Sequence, residues 1–181
     1  MSNLFAQNIQ EQNISFIHKG CSFSGTISFP AGNGPFPTIM LVPGSGQNDR
    51  QGSITLSGGN SQCLYPTLLD SSLTIYKDLA QGLSKRGYLV LRYDELFISC
   101  PSTQTPVSDY EKLWLPANSA LDSLVSNPLV DRTKLYLMGH SEGASLINYI
   151  ASKRNDIAAL VNIAGAYAPF DSLLAQQLVD I

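Results

Sequence analysis

The stretch Leu135-Tyr136-Leu137-Met138-Gly139-His140-Ser141-Glu142-Gly143-Ala144 constrains this chain more than any other. An apolar run passes directly into Gly-x-Ser-x-Gly and then into a segment with helical periodicity. That order is the sequence form of a nucleophile elbow, a sharp strand-to-helix turn that lifts one serine hydroxyl, here Ser141, above the edge of a sheet. The two glycines follow from the geometry. Such a serine sits in strained backbone with its neighbours pressed close, so bulky side chains at Gly139 and Gly143 would collide. The helix opening at Glu142 aims its positive end at the place where an oxyanion would form. The strand before and the helix after give the short pattern its weight.

The rest of the chain supplies the sheet that such a turn needs. Residues 14–18 and 23–29 alternate apolar and polar, which predicts an antiparallel pair joined near Gly20. Thr38-Ile39-Met40-Leu41-Val42 is a continuous apolar run of the kind buried on both faces. A long polar loop, expected to be mobile, covers Pro43 to Ser71. A helix is expected from about Ser72 to Arg86, with Leu73, Tyr76, Leu79, Ala80 and Leu83 as its apolar stripe and Gly87 as its stop. Tyr88 to Tyr93 reads as another strand. Ser108 and Glu111 have the spacing of a capping box, but Pro116 is expected to interrupt what they start, with a helix resuming at Ala117 and ending before Pro128. Strand 134–138, helix 142–154 and strand 157–163 complete the series. The alternation from residue 38 onward predicts an α/β fold, a mostly parallel sheet with helices on both faces.

Composition narrows the class of partner. With 181 residues, 44% hydrophobic and 14% charged, the chain is long enough for a proper core and reads as a single domain over 1–181. A net charge of −3 argues against nucleic acid or an anionic membrane as partner. No apolar run reaches the roughly 18 to 20 residues of a membrane helix, and Met1 to Asn13 lack the features of a signal peptide. Cys21, Cys63 and Cys100 are odd in number and widely scattered, which points to reduced thiols in a cytoplasmic protein and to no zinc site. No metal or organic cofactor is implied.

With these residues in view, the chain resembles the N-terminal part of an α/β hydrolase. The segment Leu41-Val42-Pro43-Gly44-Ser45-Gly46-Gln47-Asn48-Asp49-Arg50 is similar to the loop after the third strand in bacterial serine hydrolases of the dienelactone-hydrolase-like and acyl-esterase groups. The resemblance implies that this loop gives one backbone N–H to an oxyanion hole, at Ser45 or Gly46, and that the N–H of Glu142 is the second donor. It further implies the strand order 1-2-4-3-5-6. Val130 to Lys134 is likewise similar to the segment leading into the elbow strand. A phosphate-binding nest at Gly44-Ser45-Gly46 is the weaker reading, since no Lys-Ser/Thr follows. Asp49 and Arg50 are expected to brace the loop, Asp94 to anchor the segment after its strand, and Glu142 to favour its helix N-terminus rather than shape a pocket.

Two departures matter. Where the family has Gly-x-Gly after a basic residue, this chain has Glu95-Leu96-Phe97-Ile98-Ser99, so that segment is expected to take another path. In the family the triad acid follows the seventh strand and the histidine the eighth, whereas Ile181 lies just past the sixth. The domain is therefore expected to be C-terminally incomplete, lacking those strands. His18 cannot substitute, since four strand spacings put it roughly 19 Å from Ser141. His140 is expected to pack beneath the turn, and Asp171 is a conceivable acid with no base to serve.

The leading expectation is a serine hydrolase of carboxylic esters or related small-molecule acyl substrates. Ser141 is its nucleophile, Ser45, Gly46 and Glu142 its oxyanion donors, and Gly139, His140 and Gly143 the frame of its elbow. The alternative is an inactive, hydrolase-like binding module. Its last strand would leave an apolar edge open to a homodimer.

Overall fold

The computed structural model describes residues 8–55, 72–101 and 110–165. Strands β1 (Ile9–His18) and β2 (Cys21–Pro30) form a hairpin with Ile14 opposite Gly25. Its two-residue turn, Lys19 and Gly20, has φ of 47° and 82°, the mirror-image geometry that suits strand twist. Then come β3 (Phe36–Val42), β4 (Ser53–Thr55), β5 (Ser72–Thr74), α1 (Ile75–Ser84), β6 (Leu89–Tyr93) and α2 (Leu96–Ser99). The chain continues through α3 (Tyr110–Val125), β7 (Val130–His140), α4 (Glu142–Ser152) and β8 (Ala159–Ile163).

Six of the strands form one sheet in the order β1-β2-β6-β3-β7-β8. The pairs β1–β2 and β2–β6 are antiparallel, and β6–β3, β3–β7 and β7–β8 are parallel. This is the order that the resemblance implied. The central strands are apolar because both their faces are covered, and alternation sorts their side chains. Met40 and Val42 of β3 join Leu121 and Leu124 of α3 and Ile147 and Ile150 of α4 in one cluster. Ile39 and Leu41 join Tyr76 and Ala80 of α1 on the opposite face.

Three boundaries differ from the sequence reading. Residues 72–74 pair with β4 as a small antiparallel ribbon, and the helix begins only at Ile75. The expected mobile loop is, over 43–55, a folded segment, and its remainder at 56–71 lies outside the described residues. Pro116 does not interrupt a helix, since α3 runs through it from Tyr110 to Val125. A proline there removes one intrahelical bond and costs about 3 kcal/mol. Burying Leu121 and Leu124, each worth about 2 kcal/mol, offsets that loss. Ser108 lies outside the described residues, as does the side chain of Glu111.

The cysteine expectation is corrected as well. Cys21 at the start of β2 and Cys100 just after α2 form a disulfide, with Cα atoms 5.9 Å apart. Cysteines distant in sequence meet here because β2 is the antiparallel neighbour of β6, whose end leads into α2. The segment from Glu95 thus does take its own path, as a one-turn helix pinned to the hairpin. Among the described residues, no helix is long and apolar enough to cross a membrane.

Candidate active site

Ser141 stands between the end of β7 and the first turn of α4, with φ 54° and ψ −118°. A side chain at positive φ is strained, and the surroundings must hold it there. The Ser141 N–H donates to the Ile163 carbonyl of β8 at 2.9 Å, and the Ala144 N–H donates back to the Ser141 carbonyl at 3.0 Å. The flanking glycines are required by contact. A Cβ on Gly139 would overlap the Gly143 carbonyl, and one on Gly143 would overlap the carbonyl oxygens of Val42 and Pro43. The helix therefore lies against the end of β3, an approach that no larger residue allows.

The loop after β3 closes on the same point. A Cβ added at Gly44 would sit 3.1 Å from Ser141 Cβ and 3.2 Å from His140 Nδ1, so the loop passes close enough to the turn to crowd any side chain there. Gly44 is buried, whereas Ser45 and Gly46 are exposed, Gly46 at φ 111°. Among the described residues, neither the Ser45 nor the Gly46 N–H donates a hydrogen bond. The N–H of Glu142, first in its helix, has no intrahelical acceptor. Among the described residues, three backbone donors with no partner thus lie in the two segments that meet at Ser141.

Several side chains hold the loop. Asp94 accepts the Arg50 N–H at 2.8 Å and the Arg50 guanidinium at 2.9 Å, so Arg50 braces the loop against Asp94, which the sequence reading had placed only as an anchor of its own segment. Asp49 accepts from the Gln51 and Ser53 N–H groups at 3.0 Å and caps the local turn. Burial works against the charge of Asp49, but these bonds outweigh it and hold its carboxyl below the usual range. Glu95 Oε2 accepts the Asn48 N–H at 3.0 Å and Asn48 Nδ2 at 3.2 Å. Burial, reinforced by the nearby Glu142 carboxylate, pushes Glu95 up to about 7 despite those bonds. Glu142 is itself raised by burial and lines a small crevice with Glu95, Pro43 and Pro116. It therefore shapes a pocket as well as opening its helix.

The histidines are both engaged elsewhere. His18 Nδ1 lies 3.0 Å from Ser119 Oγ, on the strand four places from β7. His140 Nδ1 lies 3.1 Å from the Tyr76 hydroxyl. Tyr76 and Glu95 are the residues that sequence reasoning missed. Tyr76 carried only the signal of a core position on a helical stripe, and Glu95 only that of a departure from the family pattern. Asp171 lies outside the described residues. Among the described residues, no three His, Cys, Asp or Glu side chains gather as a metal site.

Comparison with known proteins points to the same fold. Residues 118–179 match the family described as BAAT / Acyl-CoA thioester hydrolase C terminal. The chain is 33% identical over 156 residues to Esterase EstD of Thermotoga maritima, covering 85% of this chain. It spans only 33% of that esterase's own length. Among solved structures it resembles a dienelactone hydrolase-like promiscuous phosphotriesterase from metagenomic libraries, with TM-score 0.63 and 19% identity over 89% of this chain and 61% of that one. It also resembles the alpha/beta hydrolase GrgF from Penicillium sp. sh18, with TM-score 0.65 and 18% identity over 94% of this chain and 53% of that one. Strand order and structural likeness together show that this chain carries the α/β-hydrolase fold.

Proposed function

We propose that the chain carries the nucleophilic half of a serine hydrolase acting on carboxylic esters or related acyl compounds, thioesters included. The observation that carries this reading is the Ser141 backbone at φ 54°, wedged against Gly44 with unengaged N–H groups on both sides of it. In the proposed reaction Ser141 Oγ attacks the acyl carbonyl carbon and gives its proton to a base. The carbonyl oxygen becomes an oxyanion held by the Glu142 N–H and by Ser45 or Gly46. Collapse expels the alcohol or thiol, which takes up that proton, and water then releases the acid from Ser141. The base and its acid partner are assigned to chain outside the described residues, because His18 and His140 are both committed. The esterase and acyl-thioester-hydrolase relatives support the substrate class. The disulfide favours an oxidising setting over the cytoplasm.

Fluorophosphonate labelling, with the adduct located by mass spectrometry, tests the reading. Rapid modification of Ser141 in the full-length protein, abolished in Ser141→Ala, is the expected result. Folded full-length protein that resists the reagent defeats it.

A second reading is favoured by the edge strand, where Val161 and Ile163 of β8 are 41% and 36% exposed. Here the chain is an inactive module that pairs with a second copy through β8. It requires a dimer in light scattering and no labelling of Ser141.

A further inference from the structure

We propose that Glu95 is a positioning residue for the turn from Gly44 to Asn48, and that through Asn48 it sets the directions of the Ser45 and Gly46 N–H groups beside Ser141. This rests on the reading of those groups as oxyanion donors. The argument is one of peptide planarity. In a trans peptide the C=O of one residue and the N–H of the next lie in one plane and point in opposite directions. Asn48 Nδ2 donates to the Gly44 carbonyl at 2.9 Å and to the Ser45 carbonyl at 3.2 Å. Those carbonyls share their peptide planes with the Ser45 and Gly46 N–H groups. One side-chain amide therefore draws both carbonyls inward and turns both N–H groups the other way.

Asn48 performs this only if its own orientation is held, and Glu95 holds it. The same carboxylate oxygen accepts from the Asn48 backbone and from its side chain, whose two N–H hydrogens are shared among Glu95 and the Gly44 and Ser45 carbonyls. In return the Glu95 N–H donates to the Asn48 carbonyl at 3.2 Å. Three bonds between two residues 47 positions apart leave the amide one way to point.

The clasp is sensitive to charge. A carboxylate accepts these bonds more strongly than a carboxylic acid does. The groups facing Glu95 give its charge no relief. They are the Glu142 carboxylate from α4 and the phenols of Tyr76 in α1 and Tyr93 in β6. Among the described residues Glu95 has no ion-pair partner. Acid therefore loosens the turn, and the N–H groups lose their fixed directions.

The test follows the Gly46 amide resonance by nitrogen-15 glycine labelling of the full-length protein from pH 5 to 9, with ester turnover measured in parallel. In the wild type the resonance is expected to titrate with a midpoint of about 7. In Glu95→Gln, which keeps an acceptor oxygen but cannot ionise, it should stay flat. Turnover in Glu95→Leu should fall about tenfold or more in kcat with KM little changed, and Glu95→Gln, which still accepts but carries no charge, should fall between Glu95→Leu and the wild type. A Gly46 resonance that ignores pH in the wild type, or titrates equally in Glu95→Gln, overturns the proposal. Titration without any ester turnover would sustain the positioning role and defeat the hydrolase reading instead.

Discussion

The Tyr76 hydroxyl lies 3.1 Å from His140 Nδ1 and accepts the Gly44 N–H at 3.2 Å, so one phenol on α1 ties the loop after β3 to the residue before Ser141. Burial raises the phenol above its ordinary range, which keeps it a neutral donor at any working pH. Its rings meet edge to face, with centroids 6.1 Å apart. Tyr76→Phe keeps the packing but strands a buried Gly44 N–H. The expected loss is about 1 to 2 kcal/mol of unfolding free energy, read as a lower urea midpoint with unchanged slope. An unchanged midpoint would mean that water replaces the phenol.

Gly143→Ala tests the close approach of α4 to β3. The added methyl would run into the Val42 and Pro43 carbonyl oxygens, backbone atoms that cannot swing aside. Loss of about 3 kcal/mol is expected, measured by thermal unfolding. Stability within about 0.5 kcal/mol of wild type would show that the helix slides without penalty.

Glu95 makes stability depend on pH in a definite sense. Its native value of about 7 exceeds the ordinary 4.5, so between those pH values the folded carboxyl keeps a proton that the unfolded chain has released. Stability from this group is complete below 4.5 and falls as pH rises through the window, by about 3 kcal/mol. Urea unfolding at pH 5 and pH 8 should show that drop in the wild type and lose it in Glu95→Gln. Equal drops in both proteins would place the titration elsewhere.

The Cys21–Cys100 bond closes a loop with a sequence separation of 79. A cross-link of that span restrains the unfolded chain by about 4 kcal/mol. Reductant or Cys100→Ser should therefore lower the melting temperature markedly, and iodoacetamide should add one more label after reduction per freed thiol. Full alkylation of Cys21 and Cys100 in non-reduced folded protein would contradict the pairing.

The strands were legible because burial on two faces imposes an apolar run. Thr38 to Val42 and Tyr88 to Tyr93 are each read from their own side chains without reference to a neighbour, the second beginning one residue later in the structure. Residues 72–74 were misread as helix because Leu73 fits the stripe of Tyr76 and Ala80, while the pairing with β4 that claims it is non-local. Pro116 misled for a related reason. Local propensity counts the lost bond, but the burial of Leu121 and Leu124 against the sheet is decided elsewhere in the chain.

The sequence by itself determined the elements and the turn at Ser141, because backbone strain, glycine spacing and apolar periodicity act over a few residues. Only the tertiary structure decided what holds that turn. Tyr76 meets Gly44 across 32 positions, Asn48 meets Glu95 across 47, and Cys21 meets Cys100 across 79. Nothing in the local chain encodes such partners. The clasp between Asn48 and Glu95 exists because β3 and β6 are parallel neighbours, so the loops that follow them leave the sheet at the same edge.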